Sequence, residues 1–244
     1  MKFASSLLVL LIIGFLLPVH AAAHRSEDSK GDSVTVERFP RSLGLASIDV
    51  VRFDPGKATL KLVTPKSGKR LQRVVEMPQC VTAVACANAS FFKENGEPLG
   101  LMVSQGKMIQ PLRRVPWSVF WIDDKGNAGI SNRREYRRGP ARKRTIQFAV
   151  QSGPRLLRKG RIPSSLKWSL ARRTTLGITA DGVCVLVVTS LPMTLEGVAE
   201  FGKEKLNLVE MVNLDGGSST QLMVPDEGIS VNGVPVAVGL AIYR

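Results

Sequence analysis

A chain of 244 residues with 34 Lys and Arg against 20 Asp and Glu carries a net charge of +14, which directs it toward anionic partners such as nucleic acid, phosphate-bearing glycans or a charged membrane surface. Its only two histidines, His20 and His24, lie at the extreme N-terminus, so Ser–His and Cys–His catalysis and histidine-ligated zinc are excluded from the folded region. Three scattered cysteines make no zinc site either, so no cofactor and no metal are expected. Any chemistry must run on carboxylates, Arg and Lys, hydroxyls and backbone amides.

In chain order, Lys2 followed by the apolar run Phe3 to Leu17 and then Pro18-Val19-His20-Ala21-Ala22-Ala23 reads as a signal peptide over residues 1–23, cleaved near Ala21–Ala23. The run is short for a full span of roughly 20 residues, so no stable membrane span is expected after cleavage. The expected destination is a periplasm or the cell exterior. Residues 24–33 are polar and read as a disordered lead-in. Residues 34–244 are enough for one domain with its own core.

From Val34 onward the pattern is strand-like. Val50 to Phe53 leads through the turn Asp54-Pro55-Gly56 to a second run, Ala58 to Val63, and Val81 to Ala87 reads as a buried strand. Asn95-Gly96 signals a hairpin, Leu99 to Val103 pairs with Met108-Ile109 across Gln105-Gly106, and Trp117 to Ile122 precedes a turn at Asp123 to Asn127. Arg133, Arg134, Arg137, Arg138, Arg142, Lys143 and Arg144, offset only by Glu135, read as a solvated loop. Tyr136 is its lone aromatic, too few for a base-stacking platform, so nucleic acid is not an expected partner. Ile146 to Val150 and Val183 to Val188 are further interior strands. One helix stands out: Thr194 caps it, and Leu195, Val198, Ala199 and Leu206 share a face. The fold class is α+β, a strand-rich mixed-sheet single domain with few helices. Cys80, Cys86 and Cys184 remain open as a bridge or as buried thiols, because Cys80 and Cys86 on one straight strand lie too far apart to bond.

The chemistry concentrates at strand ends. Asn213-Leu214-Asp215-Gly216-Gly217-Ser218-Ser219-Thr220 closes an apolar run with an acid, two glycines and three hydroxyls. Glycines there let backbone amides come close to a ligand. Asn88-Ala89-Ser90-Phe91-Phe92, Pro98-Leu99-Gly100-Leu101, Gln151-Ser152-Gly153-Pro154 and Arg172-Arg173-Thr174-Thr175-Leu176-Gly177 share the same polar or glycine-rich character.

In this order these segments resemble the phosphodiester glycosidase family, through Asn-x-x-Phe-Phe, Pro-x-Gly-Leu, Gln-Ser-Gly-Pro, Arg-Thr-x-x-Gly and Asn-Leu-Asp-Gly-Gly-Ser-Ser-Thr. The acidic loop lacks the third glycine frequent in that family, and Arg172 stands where a proline often precedes the Arg-Thr pair. Spacing to Gly177 favours Arg173 over Arg172 as the functional arginine. The resemblance implies hydrolysis of a sugar-1-phosphodiester, the substrate being a sugar-phosphate diester or a phosphate-bearing glycan. One acid with anion-stabilising donors suffices for it, because a phosphomonoester leaves with little protonation.

On this reading Asp215 is general base or nucleophile, Arg173 grips the phosphate and Asn88 orients the sugar. The amides of Gly216 and Gly217 and the hydroxyls of Ser218 and Thr174 cradle oxygens, and Gln151, Ser152 and Gly153 wall the substrate site. Two other classes compete. One is a non-catalytic binder of anionic phosphate-bearing envelope glycans, which would be better served by Asn than by the repelling Asp215. The other is a calcium-dependent sheet protein, for which one loop carboxylate is few ligands. Oligomeric state is not legible.

Overall fold

A computed structural model describes residues 24–25, 32–41 and 46–244. The expected signal peptide lies outside these residues. Strands are numbered along the chain. The largest sheet has seven, in the order β1 (His24–Arg25), β2 (Val34–Arg41), β3 (Ala46–Phe53), β13 (Cys184–Thr189), β12 (Thr174–Thr179), β14 (Leu208–Asn213) and β11 (Arg155–Leu157). A second sheet orders β7 (Lys107–Gln110), β6 (Met102–Ser104), β10 (Ile146–Ser152), β8 (Ser118–Asp123) and β9 (Ala128–Asn132). The third orders β16 (Ile229–Val231), β15 (Leu222–Val224), β5 (Ala85–Asn88), β17 (Gly239–Tyr243) and β4 (Thr59–Val63).

The three sheets surround one core. Phe53 and Leu186 from the first, Phe120 and Phe148 from the second, and Ala87 and Leu240 from the third meet in it. Period-two alternation assigns the faces. Along β13, Leu186 and Val188 point into this shared core, while Val185 and Val187 point outward. That outward face is covered by a helix, α3 (Leu195–Leu206). A strand buried on both sides has no polar face to spare, which is why β13 reads as an unbroken apolar run. In α3 the Thr194 hydroxyl accepts from the Gly197 N–H at 2.9 Å, and Asn207 ends the helix in the left-handed region at φ 56°. Phe201 meets Phe39 edge-to-face, ring centres 5.1 Å apart.

Several expectations are corrected. Every ladder among the described residues is antiparallel, so the sheets are not mixed. His24 and Arg25 pair with β2 instead of fraying. Asn95-Gly96 closes a single tight turn around the Phe92–Pro98 bridge, not a hairpin of full strands. The basic stretch is two short helices, α1 (Arg133–Arg138) and α2 (Pro140–Lys143), because Asn132 and Glu135 form a reciprocal capping box and Tyr136 is buried.

Val81 is 77% exposed, and the strand begins only at Ala85. The 3-10 turn Pro78–Cys80 folds the chain back before β5, so Cys80 and Cys86 are not on one straight strand. Their Cα atoms lie 5.9 Å apart and the two are bonded as a disulfide. Cys184 is a free, buried thiol whose pKa burial pushes up, and it is chemically inert in the folded state. The bridge spans a sequence separation of 6, so changing both Cys80 and Cys86 to Ser should cost about 2 kcal/mol in denaturant unfolding. Thiol titration of the wild type should find no reactive thiol until the protein is unfolded.

Candidate active site

Strands from all three sheets end at one place: β5 at Asn88, β10 at Ser152 and β14 at Asn213, with β12 starting there at Thr174. Backbone bonds stitch the loop after β14 to its neighbours. The N–H of Leu214 donates to Thr174 O at 2.8 Å, that of Asp215 to Ala89 O at 3.0 Å and that of Gly217 to Arg172 O at 2.8 Å. Asp215 is therefore bracketed against Arg172, Arg173 and Thr174. The two glycines have separate reasons. A Cβ on Gly216 would sit 2.8 Å from Arg172 O, and Gly217 has φ +63°.

The Asp215 carboxyl is largely withdrawn from solvent, and burial pushes its pKa above the ordinary aspartate range. The Gly216 N–H donates to Oδ1 at 2.9 Å, and this bond together with the neighbouring Ser219 hydroxyl partly offsets that rise. Arg173 is 6% exposed. Its Nε donates to Met193 O at 2.8 Å, and its Nη2 donates to Ser169 Oγ at 2.9 Å and to Ser169 O. Among the described residues it has no carboxylate partner, and Nη1 has no protein acceptor. Burial pulls its pKa down from the usual guanidinium range. A buried cation held only by neutral carbonyls and a hydroxyl has no counterion of its own. Arg172 instead braces the loop, donating to Gly217 O at 3.3 Å and Asn232 O at 2.8 Å.

Other expected roles change. Asn88 is wholly buried and its amide is engaged: Nδ2 donates to Asp215 O at 2.6 Å, while Oδ1 accepts from Thr174 Oγ1 at 2.7 Å and from the Gln221 N–H at 3.0 Å. Asn88 and Thr174 therefore clamp the loop instead of facing a sugar. The Gly216 and Gly217 amides are already given to Asp215 Oδ1 and Arg172 O, so they do not form the expected cradle. Gln151 is also buried, with Oε1 accepting from the Leu101 and Arg113 N–H groups at 3.0 and 2.9 Å. It pins the wall from within. Gly153 completes that wall, with its O accepting from Asn213 Nδ2 at 3.3 Å and Trp117 packed against its Cα. Ser218 is exposed on the loop, where its hydroxyl is open to a ligand.

Sequence reasoning passed over four groups. Ser152 Oγ (a residue expected only as wall), Thr175 Oγ1, Asn213 Oδ1 and Thr220 Oγ1 are buried and lack a hydrogen-bond partner among the described residues. Thr175 and Asn213 face one another across β12 and β14. A Thr and an Asn opposed at the ends of two largely buried strands are the sequence signal that was available. Ser219, whose hydroxyl neighbours the Asp215 carboxyl, sits in the Ser-Ser-Thr run. A cavity of about 450 Å³ between the 55–60 and 123–126 turns shares no residue with this constellation.

A raised folded-state pKa means the folded protein binds the Asp215 proton more tightly than the unfolded chain does. The stabilising contribution is present at low pH and is lost as pH rises from the unfolded value toward the folded one. Asp215→Asn should therefore melt above the wild type near pH 7, with the gap closing on acidification toward about pH 4. Gly216→Ala should displace the loop from Arg172 and reduce whatever activity Asp215 supports by at least about tenfold, even if the fold survives.

A phosphodiester glycosidase family profile matches residues 81–243. An uncharacterised Escherichia coli protein, YigE, is 29% identical over 149 residues, which is 56% of this chain and 56% of that protein. The chain thus matches little more than half the length of that relative. Among solved structures, the catalytic domain of zebrafish N-acetylglucosamine-1-phosphodiester alpha-N-acetylglucosaminidase, auto-inhibited by its pro-peptide, is similar with a TM-score of 0.71 at 17% identity, covering 91% of this chain and 88% of that one. A hypothetical protein from Synechocystis follows with a TM-score of 0.61 at 16% identity, covering 87% and 62%. At these identities the structural likeness speaks for the fold alone. The family profile spans well over half of the sequence, and the chain belongs to the phosphodiester glycosidase family.

Proposed function

We propose that the chain is an exported hydrolase that cleaves a sugar-1-phosphodiester at the anomeric carbon, releasing the sugar and a phosphomonoester. The observation that carries this reading is Arg173, a buried guanidinium with no carboxylate partner among the described residues, on the segment to which the loop of the half-buried acid Asp215 is bonded through the backbone. A cation so placed is completed by an anionic ligand, and a phosphodiester brings that anion next to an acid suited to the sugar carbon.

Asp215 acts as its carboxylate, taking the proton of the attacking water, or bonding to the anomeric carbon itself to give a glycosyl ester that a water molecule then hydrolyses to free sugar and carboxylate. The C1–O bond breaks with its electron pair passing to the phosphate oxygen. Arg173 Nη1 meets the growing negative charge there, so little leaving-group protonation is required. Ser219 holds the Asp215 carboxyl in place, and the open Ser218 hydroxyl contacts the substrate. A pure binder of anionic glycans would gain nothing from a half-buried carboxylate facing its ligand's charge. Export rests on the N-terminal apolar segment together with the Cys80–Cys86 bridge, which suits an oxidising compartment.

The mature protein, incubated with UDP-N-acetylglucosamine and a panel of sugar-1-phosphodiesters, should release free sugar. Asp215→Asn and Arg173→Ala should each lower kcat by about 10²–10⁴-fold at unchanged fold. Arg173→Lys should recover only part of the loss. The acid limb of the pH–rate profile should fall above the pH expected for an ordinary aspartate, because burial raises the Asp215 pKa. A folded protein that binds these compounds and releases no sugar from any of them would return the weight to the binding reading.

A further inference from the structure

The candidate site is bounded on one side by the Gln151–Gly153 wall, and the wall is backed by an aromatic pair. A Cβ placed on Gly153 would lie 3.1 Å from Trp117 Cδ1, and the Trp117 ring packs against Phe91 with centres 4.9 Å apart. Phe91 is two residues beyond Ala89, whose carbonyl anchors Asp215. Trp117 also lines a cleft of about 450 Å³ together with Arg114, Pro116, Asn132, Arg133 and Arg134. One indole therefore belongs both to the wall of the candidate site and to this cleft.

The cleft contains no acid. None of its three arginines forms an ion pair among the described residues. The adjacent acid, Glu135, is already committed. Its Oε2 accepts from the Asn132 N–H at 2.9 Å and its Oε1 from Arg158 Nη2 at 2.8 Å. The capping box at Asn132 and Glu135 fixes the turn that presents Arg133 and Arg134, so these two cations are held together by the fold. Such a surface repels cations and stays uncompensated until an anion arrives. A bilayer is a poor match, because none of the lining residues is among the large exposed apolar side chains that would anchor it.

We infer that the cleft of Arg114, Trp117, Arg133 and Arg134 is a second anion subsite, and that the substrate is a phosphodiester-linked oligomer. The inference rests on the proposed hydrolysis at Asp215. The scissile phosphate lies at Asp215 and Arg173, and a further phosphate of the same chain passes the Phe91–Trp117 pair into the cleft. The arginines add affinity and choose long aglycones over short ones, and they take no part in bond breaking.

Two readouts test this. Calorimetric binding of inorganic tripolyphosphate to the Asp215→Asn protein should weaken about tenfold when Arg133→Ala and Arg134→Ala are added, and again with Arg114→Ala. It should also fall steeply with added salt. The pair Arg133→Lys and Arg134→Lys should keep most of the binding. In turnover, a sugar-1-phosphate ester of glycerol is compared with the same sugar on a chain of three glycerol phosphates. The wild type should prefer the longer substrate, and the double Ala variant should reduce the ratio of the two kcat/KM values about tenfold, mainly through KM.

Unchanged tripolyphosphate binding and an unchanged ratio in a variant with wild-type Tm would overturn the subsite. So would loss of binding to vesicles of phosphatidylcholine with 30% phosphatidylglycerol alongside intact tripolyphosphate binding, which would make the surface a lipid contact. A wild type that hydrolyses neither ester defeats the catalytic reading, and with it the assignment of the substrate as an oligomer. The tripolyphosphate titration then still decides whether the cleft binds anions.

Discussion

The arrangement depends on one buried carboxamide. Asn88 joins the end of a strand in the third sheet to Thr174 at the start of a strand in the first, and to the backbone on both sides of the acidic loop at Asp215 and Gln221. The bonds to Thr174 and Gln221 lie where water is excluded, and the one to Asp215 is partly so. Losing one leaves a bare polar group as well as a missing attraction, and the penalty for that exceeds the net value of the bond itself. No other residue type has both a donor and a two-lone-pair acceptor at this length except Gln, which is one methylene too long. The loop that holds Asp215 is therefore as firm as the core beneath it, although it has no regular structure beyond the short 3-10 turn at Gly217–Ser219.

Against that frame, Arg173 is buried and Asp215 half-buried, each at a cost. Each is withdrawn from water, and each pKa is moved by that withdrawal toward its neutral form. No ion pair links them. A protein selected only for stability would join them or replace them with apolar residues. Four orphan polar atoms on Ser152, Thr175, Asn213 and Thr220 border the same loop. Unsatisfied polar atoms gathered at one point among the described residues are what a site complementary to a charged reacting group requires.

Much of this was legible in the sequence, and the parts that were not share a cause. The α3 helix, the β8–β9 hairpin and the doubly buried β13 follow from local period and capping, and the acidic loop follows from residue types no core needs. Side-chain direction at the ends of strands is different, because the partner is far away in sequence. Thr174 and Arg173 are neighbours, yet one turns to Asn88, 86 residues away, and the other to Met193 and Ser169. Nothing local in the sequence marks the Gly216 amide as given to Asp215 Oδ1, or the Gly217 amide as given to Arg172 O across the loop. Val81 and Cys80 misled for a related reason: apolar character alone does not show that Pro78 folds the chain back before the strand begins. The basic stretch is a milder case, since Asn132 and Glu135 were there to be read as a capping box.

The positive charge of the chain then gains a shape. Taken as a total, +14 says only that anions are attracted. In the fold, Arg173 lies buried against Met193 and Ser169, whereas Arg133 and Arg134 stand on a capped helix at the cleft that Trp117 lines. These positions call for different kinds of anion contact. A buried guanidinium with fixed carbonyl partners discriminates by geometry, and only a group delivered at the right angle completes it. Surface arginines in solvent discriminate weakly and are screened by salt, but they act over a longer range and draw in chains rather than single groups. A monomeric diester needs only the first kind of contact. Both kinds, separated by a single indole, make sense for a ligand whose charge repeats along its length.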